Sequence, residues 1–276
     1  VSDPILTVFT KPWTGPLPEL ADTVAGLGLQ GVELPVRPGY QVTPETAAAG
    51  LPAAARTLAA RGLSIRSIAG SIDEATVAAC GEAGVPMIRI CVAVDPAVGF
   101  RATVDQYRRQ FDALLPALER HGVAIGIQNH SGAQIGSAAG VLYLIERYDP
   151  KHVCAVLDMA HCGVAGEPTD LAVDILSERL RLVNFKSAYQ RRLTPPEEDA
   201  VYKVHWTTHQ HAAYSWRGFV QALRKVGYAG AWCLPAEYSH PSGKGQRMGD
   251  AVLPFLKDDI AYLKGLLGEA GASVKI

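Results

Sequence analysis

Two hydrophobic patterns alternate along the chain. Short, continuous apolar runs predict buried strands, and longer stretches with apolar residues every three or four positions predict amphipathic helices. The strand candidates are Ile5–Phe9, Gly31–Pro35, Leu63–Ala69, Pro86–Val92, Val123–His130, Val153–Asp158, Arg181–Ser187 and Ala231–Glu237. Between them, Leu17, Leu20, Val24 and Leu27 share one helix face. Thr43-Pro44 starts an alanine-rich helix and Gly62 stops it. A short helix is expected near Glu74–Ala83. Tyr107, Phe111, Leu114, Leu115 and Leu118 mark a helix ending at His121-Gly122, where His121 is a cation facing the helix dipole. Val252, Phe255, Leu256, Ile260, Leu263 and Leu267 mark the last helix. This alternation, with no second-domain signal, predicts an α/β fold, a single (β/α)8 TIM barrel over 1–276.

One stretch breaks the pattern. Ala188–Tyr214 shows no clear period but carries Arg191, Arg192, Pro195, Pro196, His205, His209 and His211. It leaves the carboxyl end of the seventh strand, so a lid-like loop at about 188–214 is expected over the barrel mouth. Gly26 to Gly31 fits Gly-x-Gly-x-x-Gly, but lies between a helix and a strand. The dinucleotide fingerprint needs the opposite order, so these glycines read as a helix stop and a tight turn.

Composition narrows the class. With 48% hydrophobic and 19% charged residues, the 276-residue chain reads as globular, with ample material for a core. The formal net charge is −1 and no basic run exceeds Arg191-Arg192, so no nucleic-acid or anionic-membrane footprint is expected. No stretch reaches transmembrane length. The five cysteines are scattered without a Cys-x-x-Cys pair, which fits buried thiols in a reducing, cytoplasmic compartment. The chain opens at Val1 rather than Met, which leaves a removed leader open. A homo-oligomer is also left open.

Ligands of parallel α/β proteins bind beyond the carboxyl ends of strands. Four neighbouring strand ends carry Gln128, Asp158, Asn184 and Glu237. Asp158 alone could be a helix cap. Together the four form an oxygen-rich set suited to a divalent cation, Mn²⁺ or Mg²⁺ rather than Zn²⁺, or else a metal-free polar pocket that hydrogen-bonds a sugar. Lys11, Trp13, Glu33 and Arg89 lie in or just after the first, second and fourth strands and are candidate substrate contacts; a Glu33–Arg89 ion pair is the plainer account. His211 is a candidate contact from the lid. With His205 and His209 it could form a second metal site, or all three could be exposed. His130 follows Gln128 closely and could supply a base.

The chain resembles the xylose isomerase-like barrels, in the branch of sugar phosphate isomerases and epimerases. The resemblance spans nearly the whole chain and rests on Ile127-Gln-Asn-His130, Leu157-Asp-Met-Ala-His161, Val183-Asn-Phe-Lys186, Gly227-Tyr-Ala-Gly230 and Ala236-Glu237. It implies one divalent metal held by Glu, Asp, His and Glu, with the two glutamates as the acid/base pair beside a substrate carbonyl. It also implies a substrate contact for His161 and a charge-neutralising role for Lys186. The sequence keeps Asp158 and Glu237 but has Gln128 for the first Glu and Asn184 for the His. An amide does not take a proton near neutral pH, so Gln128 cannot be one of two bases. The expected activity is proton transfer next to the carbonyl of a sugar, keto-sugar or polyol, with Glu237, His161, Lys186 and His130 as candidate catalytic residues. The alternatives are a lyase on a keto-sugar derivative, a non-catalytic sugar-binding barrel, and a relative of the AP endonucleases, which the near-zero net charge disfavours.

Overall fold

The computed structural model describes residues 4–269. Its centre is a closed barrel of eight parallel strands. In chain order the strands are β1 (Leu6–Phe9), β2 (Gly31–Pro35), β3 (Ser64–Ala69), β4 (Met87–Cys91), β5 (Ala124–Gln128), β6 (Val153–Asp158), β7 (Leu180–Asn184) and, after an inserted pair β8 (Ser187–Arg192) and β9 (Tyr202–Thr207), β10 (Ala231–Leu234). β10 pairs with both β7 and β1 and closes the ring. The helices are α1 (Leu17–Gly26), α2 (Ala47–Ala59), α3 (Glu74–Glu82), α4 (Gly99–His121), α5 (Ala138–Ile145), α6 (Met159–Ala165), α7 (Thr169–Leu176), α8 (Trp216–Lys225) and α9 (Leu253–Gly268). Every expected barrel strand is present, and the fold is a single (β/α)8 barrel.

Strand alternation decides what the barrel encloses. Successive side chains point to opposite faces, so every second residue of a strand enters the lumen. Met87, Ala124, Cys154, Val156, Leu182, Ala231 and Cys233 pack with Phe9 and Ala69 into one buried cluster. Their sequence neighbours Ile88, Ile125, Ala155, Leu157 and Val183 belong to the larger core shared with the helices. Arg89, Gln128, Asp158 and Asn184 have the parity of the first set, one layer further along the strands. The same alternation that fills the lumen with apolar groups therefore aims these polar ones into the carboxyl-terminal mouth. Gly126 in the lumen admits no side chain: a Cβ there would meet Met87 Sδ at 2.6 Å and Val156 at 2.9 Å.

Two other expectations resolve simply. α1 is followed by Gly28 at φ 67°, the left-handed turn expected of the glycine-rich stretch. His121 lies in the last turn of α4. The segment 188–214 differs from a structureless loop. β8 and β9 form an antiparallel hairpin, with Ala188 opposite Trp206 and Tyr189 opposite His205, followed by a short 3-10 turn at His209–His211. The hairpin is tied down at both ends. Trp216 Nε1 donates to Ser187 Oγ at 2.9 Å, and His209 Nδ1 lies 3.0 Å from Asp259 Oδ1 on α9.

Candidate active site

The mouth holds a cavity of about 230 Å³ lined by Phe9, Lys11, Arg37, Arg89, Cys91, Gln128, His130, Gln134, Asp158, His161, Asn184, Lys186, Pro235 and Glu237. The structure brings together all four strand-end residues and all four catalytic candidates, with Lys11 and Arg89.

Asp158 is fully buried and its oxygens are spoken for. Oδ1 caps α6, accepting from the backbone N–H of Ala160 at 3.0 Å and His161 at 3.3 Å. Oδ2 accepts from Gln128 Nε2 at 3.0 Å and Asn184 Nδ2 at 3.3 Å, with Lys186 Nζ at 3.6 Å. Both readings of Asp158 therefore hold at once, one oxygen for the helix and one for the mouth. Asn184, having given its NH₂ away, keeps a buried Oδ1 that no protein donor among the described residues reaches.

Glu237 lies past the end of β10, and Ala236 before it takes a positive φ of 56°. That left-handed kink is unusual for a residue with a Cβ. It turns the carboxylate onto two lysines. Lys186 Nζ lies 2.6 Å from Oε2, and Lys11 Nζ bonds Oε1. Burial alone would raise the Glu237 carboxyl, but the two ammonium groups outweigh it and hold it well below the usual carboxylate range. Lys186 is the counterpart: burial opposes its charge, while Asp158 and Glu237 keep it a cation with a raised pKa.

Two imidazoles, those of His130 and His161, lie 3.8 Å apart between ring centroids and are tilted by 35°. Ser131 fixes their tautomers. Its carbonyl can only accept, so the 2.8 Å contact makes His130 Nδ1 the protonated nitrogen and leaves Nε2 a lone pair. Its backbone N–H can only donate, so at 3.2 Å it takes His161 Nδ1 as acceptor; the neutral ring then carries its proton on Nε2, and the 3.4 Å approach of the Lys186 ammonium to Nε2 is a contact between two donors rather than a hydrogen bond. Ser131 Oγ adds a 2.9 Å bond to the same Nδ1. Burial, followed by the Lys186 charge, lowers the His161 pKa to about 3, and burial is also the main cause that lowers His130. Both shifts favour the neutral ring. Lys186 Nζ lies 3.4 Å from His161 Nε2 and sits 4.0 Å from the Trp206 ring centroid, and Trp206 meets His161 edge-on at 5.2 Å. The hairpin thus roofs the charged centre.

These residues do not fit a divalent metal. A ligand must offer a lone pair. The Gln128 and Asn184 NH₂ groups, rather than their oxygens, face Asp158, and an ammonium ion already bridges Asp158 and Glu237. The negative charge that would attract a metal is neutralised from within the chain. His209, Asp258 and Asp259 place possible ligand atoms within 4.8 Å of one another. There too the atoms are engaged. Asp259 Oδ1 accepts from the His209 N–H at 2.8 Å and Oδ2 from the Tyr238 hydroxyl at 2.8 Å, so the group reads as the anchor of the β8–β9 segment on α9.

Other sequence candidates fall outside the cavity. Glu33 is buried behind it in a two-pronged ion pair, with Arg89 Nε at 2.9 Å and Nη2 at 2.8 Å. The plainer account of that pair is the observed one, although Arg89 itself reaches the cavity wall. Trp13 packs into the core and is absent from the cavity lining. His211 is exposed on its 3-10 turn, and it and His205 lie outside the His209 group. Phe9, Arg37, Cys91, Ser131, Gln134 and Trp206 were not singled out in the sequence. Phe9 and Cys91 end β1 and β4 and Arg37 follows β2, so strand-end position was the available signal.

The comparisons with known proteins place the fold. The sequence matches the xylose isomerase-like TIM barrel family over residues 21–259 and belongs to it. No curated protein matches. Among solved structures, the chain is similar to 3-keto-D-glucoside 4-epimerase from E. coli, with 14% identity, 95% of this chain and 100% of that chain covered, and a TM-score of 0.71. It is similar to D-psicose 3-epimerase with D-tagatose from Clostridium cellulolyticum H10, with 12% identity, 95% and 99% covered, and a TM-score of 0.69. A third is a xylose isomerase-like TIM barrel protein from Mycobacterium smegmatis in complex with magnesium, with 15% identity, 93% and 90% covered, and a TM-score of 0.62. Divalent metal binding therefore occurs among proteins of this fold. Among the described residues no helix is long and apolar enough to cross a membrane.

Proposed function

We propose that the chain is an isomerase or epimerase that moves a proton next to the carbonyl of a keto-sugar or related polyol, with Lys186 supplying the positive charge that the family resemblance assigns to a divalent cation. The observation that carries this reading is the pair of adjacent imidazoles set by Ser131 in opposite tautomers beside a buried ammonium ion. His130 Nε2, the free lone pair, removes the proton from the carbon next to the carbonyl. The electron pair of that C–H bond becomes the C=C bond of the enediolate as the carbonyl π pair moves onto its oxygen. His161 Nε2–H and the Lys186 ammonium stabilise the resulting enediolate oxygen, as a neutral imidazole and a fixed cation can in a dry site. Return of the proton from His130 to the neighbouring carbon on the same face, with the hydroxyl proton passing to the enediolate oxygen, completes an isomerisation; an epimerisation needs in addition a proton from solvent on the opposite face of the same carbon. Glu237, locked between two lysines, holds Lys186 in place and is not the base. Asn184 Oδ1 is a buried acceptor suited to a substrate hydroxyl. The sugar class is supported by the names of the similar structures.

A sugar-binding barrel without turnover is favoured by the same saturation of the carboxylates. Incubation of D-fructose, D-tagatose and D-psicose in D₂O, followed by proton NMR, separates the two. The enzyme reading requires C–H exchange on at least one sugar, lowered about 100-fold or more in His130→Gln and in Lys186→Met. Binding with no exchange on any of them would leave the binding barrel.

A further inference from the structure

The cavity carries one positive charge too many. Its wall holds four cations, Lys11, Arg37, Arg89 and Lys186, against Asp158 and Glu237. Glu33 behind the wall neutralises Arg89. Glu237 bonds both lysines and Asp158 lies near one. Among the described residues Arg37 forms no ion pair, and its side chain makes no hydrogen bond; it leans toward the Phe9 ring at 5.9 Å, the same ring Arg89 covers at 4.8 Å.

A second cleft opens from this corner. It has a volume of about 510 Å³ and shares Arg37, Arg89 and Cys91 with the inner cavity. Its other polar groups include Ser71, Tyr107 and Gln110, and no carboxylate lines it. A sugar needs hydroxyl partners and no net charge. An arginine without a partner, at the junction of a small polar cavity and an acid-free arm, suits a ligand that is a sugar at one end and an anion at the other. The planar guanidinium matches the paired oxygens of such a group.

We propose that Arg37 is a specificity-determining residue that receives an oxyanion, carboxylate or phosphate ester, carried by the substrate into the adjoining arm. This rests on the inner cavity being a site for a sugar-type carbonyl compound. Calorimetry with D-fructose, D-fructuronate and D-fructose 6-phosphate tests it, because the three share a keto-sugar frame and differ in charge. At least one anionic sugar should bind on the order of tenfold or more tighter than D-fructose, as a charge-assisted hydrogen-bonded pair provides. Added salt should narrow the gap. Arg37→Gln should abolish the preference while leaving the melting temperature unchanged, and Arg37→Lys should keep part of it. Which anion gains identifies carboxylate or phosphate. Equal affinity for all three sugars, no binding of any, or an undiminished preference in Arg37→Gln would overturn the proposal. The readout is binding, so tight anion binding without C–H exchange would sustain it while sinking the proton-transfer reading.

Discussion

Ser131 makes two backbone hydrogen bonds of opposite sense, and they divide the labour between two rings. A base must be unprotonated to act, and burial, its main perturbation, lowers His130 below 6.5. Exchange should therefore rise with pH through an apparent pKa below 6.5 and stay level above it until some other group titrates. A pH–rate profile under kcat/KM conditions checks this; an ascending limb centred well above 6.5 would point to another base. Arg89 and Glu33 set a different kind of dependence. Both are almost wholly buried, 7% and 0% exposed at the side chain. Arg89→Met strands a carboxylate in the barrel and should cost about 3–5 kcal/mol in urea unfolding. Adding Glu33→Leu should restore part of that loss. A cost below about 1 kcal/mol for Arg89→Met would mean that the pair is solvated and not structural.

At the scale of elements, the hairpin of β8 and β9 is the piece that differs from barrel scaffolding. Its link, residues 193–201, is exposed, while Trp206 on β9 covers Lys186. We expect the segment to act as a lid that shapes specificity. Shortening the exposed link should leave the melting temperature nearly unchanged, since Ser187 and His209 hold the ends. Trp206→Ala should raise KM several-fold, consistent with losing a cation–π contact of about 0.5–2 kcal/mol and one wall of the site. Unchanged kinetics in Trp206→Ala would remove the lid from the account. A large drop in melting temperature on trimming the link would make the segment part of the core.

For the whole molecule, the barrel was legible because most strands are short, largely apolar runs and helices such as α1, α4 and α9 repeat near 3.6 residues. The hairpin was not. Ser187-Ala-Tyr-Gln-Arg-Arg192 buries only its first two residues, so the strand lacks the alternation that a half-buried sheet would show. The site was legible at its strand ends, where lumen-facing parity forces Gln128, Asp158 and Asn184 into one mouth. Their bonding was not. Whether an amide turns oxygen or NH₂ to its neighbour depends on what else stands there, and Lys186 arrives from the turn between β7 and β8. Trp13 shows the opposite error, a loop indole that resembled a binding residue and became core. Arg37 and Ser131 escaped notice because each lies in a loop beyond its strand, where the apolar pattern has ended.

In the proposed reaction the Lys186 ammonium does the work that the family resemblance assigns to a divalent metal. The most direct test is the rate of C–H exchange in D₂O after exhaustive chelation, before and after addition of Mn²⁺ or Mg²⁺. With Lys186 bridging Asp158 and Glu237, exchange should continue undiminished without metal and gain nothing when metal is returned. Loss of exchange on chelation, restored by either ion, would contradict it.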